Sequence, residues 1–99
     1  MNSYDAFTRK HRRLSILRVL EGAASYRSNE AILTQMANAF GITSTRDQVR
    51  TEIAWLQEAG FITSEDIAGL MIATATTRGV EIAQGIASHP DIARPSPKA

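Results

Sequence analysis

Leu33-Thr34-Gln35-Met36-Ala37-Asn38-Ala39-Phe40-Gly41-Ile42-Thr43-Ser44-Thr45-Arg46-Asp47-Gln48-Val49-Arg50-Thr51-Glu52-Ile53-Ala54-Trp55-Leu56 contains two helical periodicities separated by a stop signal. In the first, Ile32, Leu33, Met36, Ala37 and Phe40 recur at i, i+1, i+4, i+5 and i+8, a broad apolar stripe along one side of a helix. Gly41 then supplies the left-handed residue that ends it. Ile42 follows, and Thr43, Ser44 and Thr45 each offer a capping oxygen. The second helix places Val49, Ile53 and Leu56 at i, i+4 and i+7. Two helices are thus joined by about three residues.

Upstream, a first helix is expected from Asp5 to about Ala23, ending at Gly22, with Phe7, Leu14, Ile16, Leu17, Val19 and Leu20 mostly at helical spacing. Residues 23–27 read as a short connection, and Ser28 or Asn29 as the cap of the second helix, with Glu30 favourably placed in its first turn. Downstream, the third helix ends at Ala59-Gly60 and Phe61-Ile62-Thr63 turns β-favouring. Glu65-Asp66 is a polar break before Gly69, and residues 70–76 form a second strand of a two-stranded ribbon. Thr77 is expected to cap a final helix reaching about Ala87, with Val80, Ala83, Ile86 and Ala87 along one side. Beyond it lie Pro90, Pro95 and Pro97 and little to bury, so residues 1–87 are expected as the domain and residues 88–99 as a disordered tail.

Composition bounds the function. The 99 residues, 43% of them hydrophobic, suffice for one core. The absence of cysteine rules out disulfides and thiolate metal sites and is compatible with a reducing cytoplasm. No apolar run approaches the roughly 20 residues of a membrane span, and no apolar segment of a secretory signal precedes the basic run, so a cytoplasmic protein without membrane association is expected. The net charge of +1 is uneven. Residues 1–27 carry six basic groups against two acidic ones, and the remainder is mildly acidic. Attraction to phosphate must therefore come from local patches.

The residues resemble the winged helix-turn-helix superfamily in four segments taken in order. Leu14-Ser15-Ile16-Leu17-Arg18-Val19-Leu20 resembles the opening helix of bacterial winged-helix regulators, and Leu33 to Ile42 their second helix and turn. Leu56-Gln57-Glu58-Ala59-Gly60-Phe61-Ile62 is similar to the end of a recognition helix running into the wing, and Thr77-Arg78-Gly79-Val80-Glu81-Ile82-Ala83 to the start of the last helix. Length and layout are also similar to small winged-helix proteins of Mu-like transposable phages. The resemblance implies an α+β, mainly helical fold: a three-helix core, a two-stranded β wing and a C-terminal helix.

If the third helix enters a major groove, its early turns must present polar side chains there. Ser44, Thr45, Arg46, Gln48, Arg50 and Thr51 are the candidates, with Arg46, Gln48 and Arg50 best suited to base edges because arginine pairs with guanine and glutamine with adenine. Arg12 and Arg13, beside Arg9 and Lys10, are expected on the DNA backbone. The wing departs from the superfamily's pattern: it offers Ser64, Glu65 and Asp66 and no basic residue before Arg78, and Asp47 and Glu52 lower the potential of the third helix.

Catalysis finds little support. His11 and His89 lack a carboxylate or second histidine at metal-ligand spacing, and no glycine-rich phosphate loop is present. No metal and no cofactor is expected, and Trp55 reads as a core residue. The expectation is a DNA-binding regulator of transcription, not an enzyme, that acts on double-stranded DNA as a homodimer joined through Phe7, Val80 and Ile86. The alternative is a winged-helix protein-interaction module without DNA binding, favoured by the acidic wing.

Overall fold

The computed structural model describes residues 3–96 and has an α+β fold of four helices and one three-stranded antiparallel sheet. The first helix, α1 (Ser3–Gly22), buries Leu14, Ile16, Leu17 and Leu20 on one side. A short 3-10 turn over Ala24–Tyr26 follows, with Ser25 and Tyr26 both at φ 57°. The expected connection is more than a linker, because Arg27–Asn29 forms a strand, β1, and the sheet has three strands where two were anticipated. The Asn29 side chain accepts from the Ile32 N–H at 3.0 Å and starts α2 (Glu30–Ala39).

Gly41 ends α2 at φ 83°, with the Ile42 N–H donating to the Ala37 carbonyl and the Gly41 N–H to that of Asn38. These paired bonds satisfy carbonyls the helix leaves open, and they need the left-handed residue that glycine adopts without strain. Thr45 caps α3 (Arg46–Glu58), whose Val49, Ile53 and Leu56 are fully buried as their spacing requires. Trp55 is half-buried against that core.

Strand β2 (Ile62–Ile67) runs through Glu65 and Asp66, which therefore lie within the strand instead of breaking it. It turns at Ala68-Gly69 into β3 (Leu70–Ala75), with Ile67 opposite Leu70 and Ile62 opposite Ala75. Positive φ at both turn residues, 53° and 84°, matches the tight hairpin turn whose twist suits the flanking strands. β3 is the central strand and pairs with β1 through Ser28 opposite Ala73.

The last helix, α4 (Thr77–Ala83), is capped by Thr76, one residue before the expected Thr77. Thr76 Oγ1 accepts from the Gly79 N–H at 3.2 Å and donates to the Gly60 carbonyl at 2.8 Å, tying the end of α3 to the start of α4. The helix stops at Ala83 and not Ala87 because Gly85, at φ 78°, turns the chain away.

The expectation of an unattached tail is corrected over its first half. Ile92 is 3% exposed and joins the core, the Ala93 N–H donates to the Lys10 carbonyl at 3.2 Å, and His89 meets Trp55 and Phe61 edge-on. One apolar side chain and an available row of α1 backbone and arginine groups suffice to dock a segment that composition alone marks as loose. Residues 97–99 of that expectation lie outside the described residues. None of the described helices is long and apolar enough to cross a membrane.

Candidate nucleic-acid interface

The α2 to α3 turn is built around Ser44. Asn38 brackets its backbone, donating from Nδ2 to the Ser44 carbonyl at 2.9 Å and accepting the Ser44 N–H on Oδ1 at 3.1 Å. The Ser44 hydroxyl donates to the Ile42 carbonyl at 2.8 Å and accepts from Arg12 Nε at 2.7 Å. Arg12 also donates from Nη2 to the Thr43 carbonyl at 3.1 Å. Both side chains are turned inward, so Ser44 and Arg12 leave the DNA-contact set and become the frame of the turn. Burial pulls the Arg12 guanidinium below its ordinary pKa, with the neighbouring Glu52 carboxylate opposing and Arg9 assisting that shift.

Arg13 is likewise corrected. It is 7% exposed, donates from Nε to Glu52 Oε1 at 2.7 Å and from Nη1 to the Asp91 carbonyl at 2.8 Å, and lies 3.9 Å over the Trp55 ring. Arg9 takes the second oxygen of the same carboxylate at 3.0 Å. The cause is Glu52, which sits on the inward side of α3 at 1% exposure and must be compensated where it is buried. The basic cluster of α1 is thus largely an internal counter-charge.

Thr45 and Gln48 form a reciprocal cap. The Gln48 N–H donates to Thr45 Oγ1 at 3.1 Å, and the Thr45 N–H donates to Gln48 Oε1 at 2.9 Å. Gln48 is exposed, but its acceptor oxygen is engaged in starting the helix, which competes with the two-point pairing that adenine requires. Thr51 is exposed and donates to the Asp47 carbonyl at 3.0 Å.

Arg46 and Arg50 remain at the surface and share one partner. Glu30, in the first turn of α2, is completely buried. Its Oε1 accepts from Arg50 Nη1 and from the Met71 N–H of β3, both at 2.7 Å, and its Oε2 lies 3.2 Å from Arg46 Nε. Burial works to raise the pKa of this carboxyl, but the Met71 N–H, Arg50 and Arg46 outweigh it and hold the group below the usual carboxylate range. The same contact raises the Arg50 pKa. Both arginines stay open to solvent, with side chains 53% and 36% exposed.

Helical geometry separates the two flanks of α3. Arg46, Arg50 and Gln57 follow one flank, where Gln57 Oε1 accepts from the Ser64 hydroxyl of β2. Gln48 and Trp55 follow the other, toward α1. The hairpin adds Glu65, which pairs with Arg27 of β1 at 2.7 Å, and Asp66, whose Oδ1 accepts the Gly69 N–H at 2.8 Å. Arg78 folds back over the Phe61 ring and donates to the Ala59 carbonyl at 3.3 Å, satisfying the C-terminus of α3.

Sequence reasoning missed Glu30 and Glu52 as organisers. The signal for Glu52 was present, since it falls among Val49, Ile53 and Leu56 on the inward side. Between the first half of α1 and α3 an open groove of about 600 Å³ is lined by Tyr4, Phe7, Arg9, Gln48 and Thr51. Tyr4, Phe7 and Ile86 are exposed, whereas Val80 belongs to the core and cannot contribute to a contact between copies as anticipated.

The uncharacterized protein gp26 of Escherichia phage Mu is 40% identical over 88 residues, which span 89% of this chain and 91% of the phage protein. An uncharacterized protein of Haemophilus influenzae is 38% identical over 77 residues, 77% of this chain and 74% of its own length. No protein-family model and no solved structure matches the chain.

Proposed function

The chain belongs to the family of the phage Mu protein gp26, and we propose that it is a winged-helix protein that binds double-stranded DNA. What carries this reading is the placement of Arg46 and Arg50, solvent-open on the early turns of α3 immediately after a braced turn between two helices. An α-helix so presented fits a major groove, where arginine donates to the O6 and N7 of guanine. The β2–β3 hairpin takes the position of the wing. Thr45 and Thr51 are also exposed on these early turns, with their hydroxyls engaged by the Gln48 N–H and the Asp47 carbonyl.

A homodimer would set two α3 helices about 34 Å apart, one turn of duplex. Exposed Phe7 and Ile86 are apolar groups for that contact. Occupancy of an operator is then a means of regulating transcription in a bacterial cytoplasm, in keeping with phage and bacterial relatives. His89 accepts the Asp91 N–H on Nδ1 and packs on two rings, a structural use of a histidine.

A second reading, a protein-interaction module, is favoured by the inward use of Arg12 and Arg13 while Tyr4 and Phe7 stand exposed beside a groove. A mobility-shift assay with mixed duplex DNA at low and moderate salt separates the two. DNA binding that weakens as salt rises is expected for the first reading. No shift at either salt concentration leaves the second.

A further inference from the structure

Two buried carboxylates bind arginines around α3, Glu52 from within the helix and Glu30 from α2, and they are used differently. Glu52 is matched by arginines of α1 from below. Glu30 is matched by arginines that reach it from the surface, so that a fixed, water-excluded anion stands at the base of two solvent-open cations. The Met71 N–H anchors this anion to the sheet. Arg50 uses one of its five donors on Glu30 and keeps its planar fork otherwise available. Arg46 is held less tightly: among the described residues, Glu30 Oε2 is the buried side-chain oxygen without a well-aligned hydrogen bond.

Charge decides what such a pair can recognise. Arg46 and Arg50 stand among Glu30, Asp47 and Asp66, and all three acids lie close enough to Arg50 to favour its charged form or bond it directly. Three carboxylates against two guanidiniums leave no local surplus to attract a phosphate. What survives the cancellation is directional: oriented N–H donors, restrained in advance, which lose little freedom on meeting a base edge. Guanine offers two acceptors side by side in the major groove and fits such donors.

Resting on the DNA-binding reading, we propose that Glu30 is a positioning residue that presents Arg46 and Arg50 to guanines, making guanine the base this domain selects. The two arginines are one helical turn apart, about 6 Å along the axis. At about 3.4 Å per base pair, the guanines they read lie within roughly two steps of each other.

The test is selection from a randomised duplex pool by the full chain, followed by affinity measurements on the selected duplex and a scrambled one. Wild type is expected to enrich duplexes with guanines at that spacing. Glu30→Gln, checked for folding by a thermal melt, is expected to reduce the selected-to-scrambled ratio on the order of tenfold while affinity for the scrambled duplex holds or rises. A role confined to stability would lower both affinities together with the folded fraction. Arg50→Lys keeps the charge but lacks the fork and, checked by the same melt, is expected to lose the ratio in the same way, so it decides the matter if Glu30→Gln does not fold. A pool that enriches no guanine, or a ratio preserved in Arg50→Lys or in folded Glu30→Gln, overturns the role of Glu30 and leaves DNA binding standing. A wild type that retains no duplex removes both.

Discussion

The backbone of Gly79 lies directly against the carbonyl of Phe61: a Cβ at Gly79 would stand 2.1 Å from that oxygen and 3.2 Å from Leu17 Cδ2. The same carbonyl accepts the Thr76 N–H at 3.0 Å, so the exit from α3, the end of β3 and the start of α4 meet at one point. Neither partner can yield cheaply, because one is main chain and the other is core. Gly79→Ala is expected to cost about 3 kcal/mol or more, above ordinary overpacking, and a thermal melt reads it directly. An unchanged melting temperature would mean that α4 does not seat on Phe61.

Arg13 is expected to matter to stability before anything else. Removing Arg13 leaves the buried Glu52 with only the more exposed Arg9 as partner, so Arg13→Ala should cost about 3 kcal/mol in chemical denaturation. Replacing Arg13 by Met and Glu52 by Leu together should recover much of that loss, because the unpaired buried charge disappears with the pair. Additive losses in the double variant would rule out the coupling.

Glu30 links stability to acidity. Its folded-state pKa is held below the ordinary value of 4.5, so its ionised form is bound more tightly in the fold than in the open chain. The stabilisation is complete above that ordinary value and disappears as pH falls through the lower folded one. Glu30→Gln has no carboxylate to take up a proton. Comparing melts from about pH 6 to about pH 3, the advantage of wild type over Glu30→Gln should shrink toward the acid end. An advantage independent of pH would contradict the ion-pair account.

Ile92 tests the docked segment. Ile92→Ala is expected to cost about 2 to 5 kcal/mol, the range for truncating a buried aliphatic side chain. Truncation after Ala87 should cost at least as much, since it also removes the carbonyl that receives Arg13 Nη1. A truncated chain that melts with the full one would show that the segment contributes nothing.

The helices were legible in the sequence because their signals are local. A stripe at helical spacing, a capping threonine and a stopping glycine each act within a few residues, and α2, α3 and the Gly41 turn follow from them. β1 was not legible. Arg27, Ser28 and Asn29 are three polar residues, too few and too uniform for their side chains to show the alternation of a strand. The inward arginines were half legible: Arg13, Leu17 and Leu20 lie at i, i+4 and i+7, which puts Arg13 on the buried side of α1. Recognising it required the matching acid on α3, a relation between residues 39 apart in the chain. Glu30 announced a favourable helix start and gave no sign of the two arginines that reach it across the turn.

Glu65 and Asp66, poorly placed for a phosphate backbone, also bear on how copies of the chain meet. β2 is an outer strand of the sheet, so its free N–H and C=O groups offer a template for another strand. Two such edges approaching each other would bring acidic side chains into opposition, and the positive-φ turn at Ala68-Gly69 keeps the hairpin short. These charges thereby protect the hairpin from edge-to-edge aggregation and steer any pairing of copies to other surfaces.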